Sequence, residues 1–306
     1  MSPDVELDLD LACHVNVVIP DARPELLGPT LAALSGLGYR RAVLPPLDAA
    51  ATDADALRAL FAEHGVAPIT IAGQAPGADV SSDDAEEAAA GAAALRAVVD
   101  LTAALGGDQM NGVPYGLFSH PTAPVSPARF DRAAKAVGEV AEYAYERGIT
   151  MTFEVLNRYE TSVVNTAERA MELVERSGSE HLRIHLDTFH MAIEEADLSA
   201  AIRLALPRLG YLELGQSGRG FLGTGAIDLP ALIAQAIDDG YTGRWGVEAF
   251  SRSILPEPAA DTLAIWRSPF QDGVELADAA LRVIRKGWAS STAGRRAARL
   301  ARGASH

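Results

Sequence analysis

Short runs of strand-forming residues alternate with longer stretches of helical periodicity along most of the chain. The short runs are six to eight residues long and predict eight strands, at 13–19, 41–47, 67–73, 107–113, 149–156, 182–187, 210–215 and 244–250. The stretches between them predict eight helices, at 24–36, 53–64, 83–105, 127–147, 165–177, 196–207, 228–239 and 257–286. Strands that alternate with helices form parallel βαβ units, and eight such units predict a closed (β/α)8 TIM barrel in a single domain.

An open, doubly wound sheet is the alternative architecture for this alternation. It is disfavoured because the first strand–helix turn, "VVIPDARPE", lacks the glycine-rich fingerprint of such folds. We place the barrel at 11–286, after an N-terminal extension at 1–10. The segment 287–306 holds four arginines among glycine, alanine and serine, and we expect a flexible basic tail there, with a contact to a partner subunit as the alternative.

Each of the last four predicted strands carries an acid on the face opposite its apolar residues. Alternation with period two directs the apolar side chains outward, against the helices, and the acids inward, to the lumen of the barrel. All four acids lie near the carboxyl ends of their strands, where barrel enzymes build their active sites. The spacings between them are 33, 26 and 35 positions, each about one βα unit. We therefore predict a ring of carboxylates formed by Glu154, Asp187, Glu213 and Glu248.

Converging carboxylates repel one another and are costly to bury unless a cation neutralises them, which predicts a bound metal. Oxygen-only ligation favours Mg²⁺, Mn²⁺ or Co²⁺ over a zinc site of histidine and thiolate. With four carboxylates the site would keep excess negative charge, so we expect Glu213 to share a proton, pair with a cation or lie back from the metal. The alternatives are a helix N-cap for Asp187, solvent exposure for Glu154 or Glu248, and an ion pair of Glu213 with Arg219.

Composition excludes several classes of partner and of site. The chain has 306 residues, 48% of them hydrophobic, which is enough for a substantial core. Its formal net charge of -15 argues against nucleic-acid and anionic-membrane partners. Cys13 is the only cysteine, so no intrachain disulfide can form. The acidic start has no signal pattern and no apolar run is long enough to span a membrane, so we expect a soluble, cytoplasmic protein.

Two further residues, close in the sequence to the predicted acids, are candidates for contact with a substrate. His190 lies three residues after Asp187 and is predicted to donate to a substrate oxygen; the alternative is that it orients Asp187. Arg219 lies between glycines, which allow its loop to approach the lumen, and its planar guanidinium suits hydroxyl or carboxylate oxygens. His185 lies deeper in the barrel, and we interpret it as a core histidine with satisfied hydrogen bonds.

Several of these motifs resemble the ketose 3-epimerases. The stretches "FEVLNRYETSVVNTAERA", "IHLDTFHMAIEEAD", "GRGFLGTGAID", "VEAFS" and "LAIWR" are similar to the D-tagatose, D-allulose and L-ribulose 3-epimerases, which are xylose-isomerase-like TIM barrels. The resemblance is specific over about 149–270 and collinear from about residue 12.

The resemblance implies a divalent metal, Mn²⁺ first, with Mg²⁺ or Co²⁺ as alternatives. Its ligands would be Glu154, Asp187, Glu248 and one residue of the seventh strand, where this chain has Glu213. Glu154 and Glu248 would also be the acid–base pair. The implied substrate-binding residues are Glu160, His190 and Arg219, together with His14 on the first strand. A homo-oligomer, a dimer or a tetramer, is expected.

The seventh strand departs from the family pattern His-x-Gly-Glu-Ser-His-Arg-Gly, because this chain reads "ELGQSGRG". Glu213 replaces the ligand histidine, Gln216 replaces a glutamate and Gly218 replaces a histidine. The first strand lacks an aromatic residue that the epimerases often have. These changes leave the substrate and the outcome of the reaction open.

Three hypotheses follow for the function. The first is C3 epimerisation of a non-phosphorylated ketose, by removal of a proton on one face and its return on the other. The second is a metal-dependent lyase or dehydratase, such as a C-glycoside deglycosidase catalytic subunit that works with a small second subunit. The third is a non-catalytic barrel that binds a sugar.

Overall fold

The structure, a computed structural model, describes residues 9–303, with side chains described as far as Ala301. Its strands are β1 Leu11–His14, β2 Arg41–Val43, β3 Ala67–Gln74, β4 Gln109–Leu117, β5 Thr150–Val155, β6 Arg183–Asp187, β7 Leu209–Leu214 and β8 Arg244–Val247. Its helices are α1 Pro24–Leu37, α2 Ala54–His64, α3 Ala85–Ala104, α4 Pro127–Tyr145, α5 Ala167–Ser177, α6 Thr188–Glu194, α7 Leu198–Ala205, α8 Leu229–Asp238, α9 Glu257–Thr262, α10 Gly273–Ser290 and α11 Thr292–Gly303.

The eight strands close into a parallel barrel in sequential order, with β8 paired to β1. The prediction of a single-domain TIM barrel is therefore confirmed. The main hydrophobic core lies between strands and helices and includes the predicted outward residues Phe153, Leu186, Leu212 and Val247. A second, small cluster of Ala12, Val43, Ile69 and Tyr211 packs separately from this core, as expected for side chains that fill the lumen.

The strand register sets which inward residues are neighbours. Asp187 on β6 pairs with Glu213 on β7, and Glu213 pairs with Gly246 on β8. Glu154 on β5 pairs with His185 on β6. The register therefore places Asp187 beside Glu213, and Glu154 beside the inward His185, two residues before Asp187.

Side-chain caps explain where most of the long helices begin. Asp84 caps α3 by accepting hydrogen bonds from the amides of Glu86 and Glu87, and Ser126 caps α4 by accepting one from Arg129. These caps satisfy amide groups that have no partner within the first turn of a helix.

Two regions differ from the secondary structure that the sequence pattern predicts. The loop after β6 is the short helix α6, because the Asp187 carboxylate accepts a hydrogen bond from the amide of Phe189 and begins the helix at once. The single helix predicted at 257–286 is divided into α9 and α10. The predicted helix is interrupted near Ala264, whose φ is 54°. Pro269 follows, and Asp272 then caps the start of α10.

The segment 287–306, for which we expected a flexible tail, is helical over most of its described length. Helix α10 extends to Ser290, and α11 follows after the buried Ser291. The amide of Thr292 donates to Oδ1 of Asp238 at 2.7 Å, which joins α11 to α8. Alanine and arginine are strong helix formers, and this accounts for the difference. Residues 1–8 of the predicted N-terminal extension, and 304–306, lie outside the described residues.

None of the helices between residues 9 and 303 combines the length and the apolar character that are needed to cross a membrane.

An ion-pair network closes the end of the barrel where the strands begin. Arg41 contacts Asp10 at 2.8 Å and Asp108 at 2.5 Å. Arg244 contacts Asp108 at 2.6 Å and donates to the Gln109 amide oxygen at 2.7 Å. Burial alone would raise the pKa of Asp108, but the hydrogen bond and charge of Arg41 and the charge of Arg244 outweigh it and lower this pKa. The network joins residues at the start of β1, β2, β4 and β8.

Arg244→Met is expected to lower the free energy of unfolding at pH 7 by about 2 kcal/mol, less than for a fully buried pair because Asp108 is half exposed. The network stabilises the fold only where Asp108 is ionised, so the loss should shrink as pH falls through the lowered pKa of Asp108. Urea unfolding at several pH values measures both effects. Arg23→Met, which breaks an exposed pair with Asp21, is the control and should change stability little. An equal loss in both variants would contradict the structural role of the network.

Candidate active site

The four predicted acids lie together at the carboxyl end of the barrel. Asp187 and Glu213 are fully buried, Glu248 is 7% exposed and Glu154 is partly buried. Three predicted substrate-binding residues, His14, His190 and Arg219, are also buried beside them. The inward direction that we inferred from strand alternation is therefore the direction that these side chains take.

These acids do not converge on one centre of four carboxylates. Among residues 9–301, three overlapping groups have ligand atoms within 4.8 Å of one another, and each group contains a histidine. The groups are His14–Glu213–Glu248, Glu154–Asp187–His190 and Glu154–His185–Glu213. Imidazole nitrogen belongs to every group, so the potential donors at this site are not oxygen alone.

Glu213 lies between two histidines that the chain brings from different strands. Its Oε1 is 2.9 Å from Nε2 of His14, and its Oε2 is 3.1 Å from Nε2 of His185. Gly246 on β8 makes this approach feasible, because a Cβ there would be 2.4 Å from Oε1 of Glu213. The ion pair of Glu213 with Arg219, which was the alternative from the sequence, does not form: Glu213 contacts the two histidines, and Arg219 contacts Asp187 and Glu248.

Several polar atoms of this group are buried without a well-aligned hydrogen bond. They are Nε2 of His14, both ring nitrogens of His185 and both carboxylate oxygens of Glu213. Our interpretation of His185 as a satisfied core histidine is thus wrong: its 3.1 Å contact with Glu213 is close, but the ring N–H is not aligned for a hydrogen bond. Buried polar atoms without partners are rare in folded proteins and point to an ion or water between them.

The charges of neighbouring groups shift the pKa values of His14 and Glu213 strongly and also raise that of His185. Burial opposes protonation of His14, but the adjacent Glu213 carboxylate outweighs this effect and raises the pKa of His14 to about 9. Burial would likewise raise the pKa of Glu213, but His14 and His185 hold it far below its ordinary range. Glu213 is therefore an anion flanked by imidazoles that favour the cationic form.

Arg219 extends across the mouth of the barrel to the acids. Its Nη1 donates to Oδ2 of Asp187 at 3.1 Å and also to Oε2 of Glu248. The guanidinium lies over the ring of Phe189, with 3.8 Å from Cζ to the ring centroid. The carbonyl oxygen of Arg219 accepts a hydrogen bond of 2.7 Å from the amide of Phe250. Backbone and side chain together fix the guanidinium beside two of the predicted metal ligands.

His190 is held in one tautomer by Asn157. The backbone amide of Asn157 donates to Nδ1 of His190 at 3.1 Å, and the Asn157 side-chain nitrogen lies 2.8 Å from the same atom. Because burial lowers the pKa of His190 to about 4, the ring is neutral at pH 7 and its proton is on Nε2. That atom lies 3.4 Å from Oε1 of Glu154 and 3.6 Å from Oδ2 of Asp187. His190 can therefore act as a neutral donor next to both acids.

Asn157 is a site residue that the sequence reasoning missed. It lies two residues after the end of β5, and its side chain also donates to Oε1 of Glu160 at 3.0 Å. Glu160 in turn has Oε2 at 3.9 Å from Nε2 of His190, so it lies at the edge of the site. The position of Asn157 after a barrel strand was the available signal.

Burial raises the pKa values of three of the acids. The pKa of Glu248 rises to about 7 and that of Asp187 to about 6, although Arg219 opposes both shifts. Burial also raises the pKa of Glu154. A carboxylate whose pKa lies near neutrality is suited to take up and return a proton.

The two other altered positions of the seventh strand are placed outside the cluster of acids. Gln216 is 1% exposed, and its side-chain hydrogen bonds go to the backbone of its own loop. Gly218 is exposed, and a Cβ there would meet nothing within 4 Å. Of the three departures, only Glu213 changes the group of potential ligands.

The family model of the xylose isomerase-like TIM barrel matches residues 31–286 of this chain. The chain belongs to this family. Its relatives are ketose 3-epimerases, which are enzymes of the isomerase class. The chain is 36% identical to a ketose 3-epimerase of Arthrobacter globiformis over 239 residues, 78% of this chain and 83% of that protein. It is 37% identical to an L-ribulose 3-epimerase of Mesorhizobium japonicum over 250 residues, 81% of this chain and 84% of that protein.

Solved structures of this xylose isomerase-like barrel family agree with the sequence comparison. A D-allulose 3-epimerase from Methylomonas sp., in complex with D-allulose, superimposes with a TM-score of 0.87 at 31% identity. The match covers 91% of this chain and 96% of that structure. The similarity therefore covers most of the chain.

Proposed function

We propose that this protein is a divalent-metal-dependent ketose 3-epimerase that acts on a non-phosphorylated sugar. The observation that carries the proposal is the placement of two carboxyl groups of raised pKa, the partly buried Glu154 on β5 and the buried Glu248 directly after β8. These strands are three positions apart in a closed ring of eight, so the two groups approach a central substrate from different sides. Epimerisation needs one base for each face of the carbon.

The residues of the chain have complementary roles in this reaction. One glutamate takes the proton from C3, and the other returns a proton on the opposite face. His190 donates its Nε2–H to a substrate oxygen, because Asn157 holds the proton on that atom. Arg219, whose guanidinium lies beside Asp187 and Glu248, binds hydroxyl oxygens of the substrate. Glu160 accepts a hydrogen bond from a hydroxyl at the edge of the site, and His14 contacts the substrate from β1.

The residues present fit a divalent ion. Both carboxylate oxygens of Glu213 are buried without an aligned hydrogen bond and would accept a cation, and Glu154 and Glu248 belong to the same overlapping groups of potential ligands. We propose that a bound ion would draw Glu154, Asp187, Glu213 and Glu248 together as its ligands from the overlapping groups, with a deprotonated imidazole as a further donor. Mn²⁺ is the expected ion; the nitrogen donor also suits Co²⁺, and Mg²⁺ is the least favoured. Such an ion would polarise the ketone and stabilise the negative charge that develops when the proton leaves.

A lyase reaction is the second candidate, and Glu213 is the observation that favours it. A carboxylate in place of the family's histidine changes the charge at the site, and proton removal can lead to elimination as well as to epimerisation. Under the lyase hypothesis, a small second subunit would be a partner of this chain. A barrel that only binds a sugar is the third candidate, and the retention of Glu154, Asp187 and Glu248 counts against it. We further propose a cytoplasmic homo-oligomer, a dimer or a tetramer.

Hydrogen exchange at C3 tests the epimerase proposal. The Mn²⁺-loaded protein is incubated in D₂O with D-fructose, D-allulose or L-ribulose, and NMR measures deuterium at C3. We expect label to enter C3 of at least one ketose together with formation of its epimer. If no label enters any ketose while an aryl 3-oxo-glycoside is cleaved, the lyase is the correct reading. Absence of both reactions and of any metal-dependent rise in melting temperature would support the binding barrel.

A further inference from the structure

The loop between β7 and α8, residues 215–228, is closed at its base by one buried side chain. The Gln216 amide oxygen accepts hydrogen bonds from the amides of Ser217 at 2.8 Å and Ile227 at 3.0 Å. Its Nε2 donates to the carbonyl oxygens of Ile227 at 3.0 Å and Leu222 at 3.3 Å. The side chain therefore pairs with both backbone groups of Ile227, which is eleven residues further along the chain.

These four bonds use the full capacity of a carboxamide, two donors and two acceptor positions. Gly225 leaves the room for it, because a Cβ at residue 225 would be 2.3 Å from the Gln216 side chain. A carboxylate has a similar shape but no donor, so its oxygens would face the carbonyl oxygens of Leu222 and Ile227. The surroundings of the Gln216 side chain therefore favour a carboxamide and disfavour an ionised carboxylate.

The same residue holds the backbone at Arg219. The carbonyl oxygen of Gln216 accepts a hydrogen bond of 2.7 Å from the amide of Arg219. Arg219 has φ of 54°, in the left-handed region that non-glycine residues rarely adopt. A strained residue keeps such a conformation only when the surrounding structure fixes it. Two backbone hydrogen bonds provide this constraint: the one from the Arg219 amide to the Gln216 carbonyl, and the one from the Phe250 amide to the Arg219 carbonyl.

We propose that Gln216 is a positioning residue: its buried amide closes the loop so that Arg219 is presented to the substrate. The substrate part of this inference rests on the proposed function; the loop closure does not. The side-chain hydrogen bonds of Gln216 go to the backbone of its own loop and not to the acids, so Gln216 acts through Arg219.

Three variants test the proposal. Gln216→Met keeps the volume and removes all four bonds, and Gln216→Glu replaces the donor by a charge. Gln271→Glu makes the same chemical change at an exposed position and is the control. Hydrogen–deuterium exchange is measured on peptides that cover 217–227 and on peptides from the strands.

We expect amide exchange within 217–227 to rise by about tenfold or more in both Gln216 variants, with the strands unchanged. The KM for the ketose should rise by about tenfold, with a smaller change in kcat and the metal-dependent rise in melting temperature retained. Gln271→Glu should behave as the wild type. Wild-type exchange and KM in Gln216→Glu would overturn the proposal.

A double-variant cycle tests whether Gln216 acts through Arg219. The changes in the free energy of unfolding of Gln216→Met and Arg219→Gln should be non-additive, and in the Arg219→Gln background Gln216→Met should raise KM little further. Fully additive effects would overturn the positioning role. The unfolding cycle and the amide exchange need no turnover. If the wild-type protein does not epimerise a ketose, the proposed function is wrong, but these two measurements still test the positioning role of Gln216.

Discussion

Glu248→Gln is expected to lower the rate of epimerisation at C3 of the ketose by about a thousandfold, because the amide can neither accept nor return the proton. Glu248 is the acid whose pKa rises to about 7, so its loss removes the group best matched to neutral pH. Glu154→Gln should have a similar effect on epimerisation. The measurement is deuterium entry at C3 in D₂O for the wild type and both variants.

The two glutamates should differ in which face of C3 they serve. Each single variant can still exchange the proton on the face of the remaining carboxylate, so residual exchange should go to different epimers in the two variants. Glu146→Gln, a change at an exposed position outside the site, is the control and should keep wild-type rates. The metal-dependent rise in melting temperature verifies that each variant still binds the ion. Wild-type turnover in either site variant would remove that residue from the acid–base pair.

Glu213→Gln is expected to weaken divalent-metal binding by about a hundredfold, because the central anion between His14 and His185 is lost. The metal-dependent rise in melting temperature should shrink accordingly, since an ion that binds only the folded state stabilises it by mass action. Equilibrium dialysis with Mn²⁺ and Co²⁺ measures the affinities directly. Unfolding in EDTA separates loss of metal from loss of the fold.

Glu213→His is the matched substitution at this position. An imidazole can still ligate the ion, and additional nitrogen donors favour Co²⁺ over Mn²⁺. We therefore expect metal binding to be kept or tightened, with a preference that moves towards Co²⁺. Loss of all metal binding in Glu213→His would contradict the assignment of residue 213 as a ligand position.

The fold and the direction of the acids follow from local patterns in the sequence. Strand and helix periods are properties of a few neighbouring residues, so the alternation of Phe153 with Glu154, or of Leu212 with Glu213, fixed their opposite faces before the barrel was known. Even in the C-terminal segment, arginine and alanine carried a helical preference that the basic composition led us to underestimate.

The detailed contacts of the site follow only from closure of the barrel. His14 contacts Glu213 from a strand two positions away in the ring. Gly246, on the strand between them, has no side chain to block this contact, and no local pattern in the sequence encodes the distance between His14 and Glu213. The contacts of Arg219 with Asp187 and Glu248 depend on the folded path of a loop. Sequence alone determined which strands carry acids to the mouth of the barrel. Tertiary structure decided which imidazoles and which guanidinium meet them, because those pairings depend on strand curvature and loop closure between residues far apart in the chain.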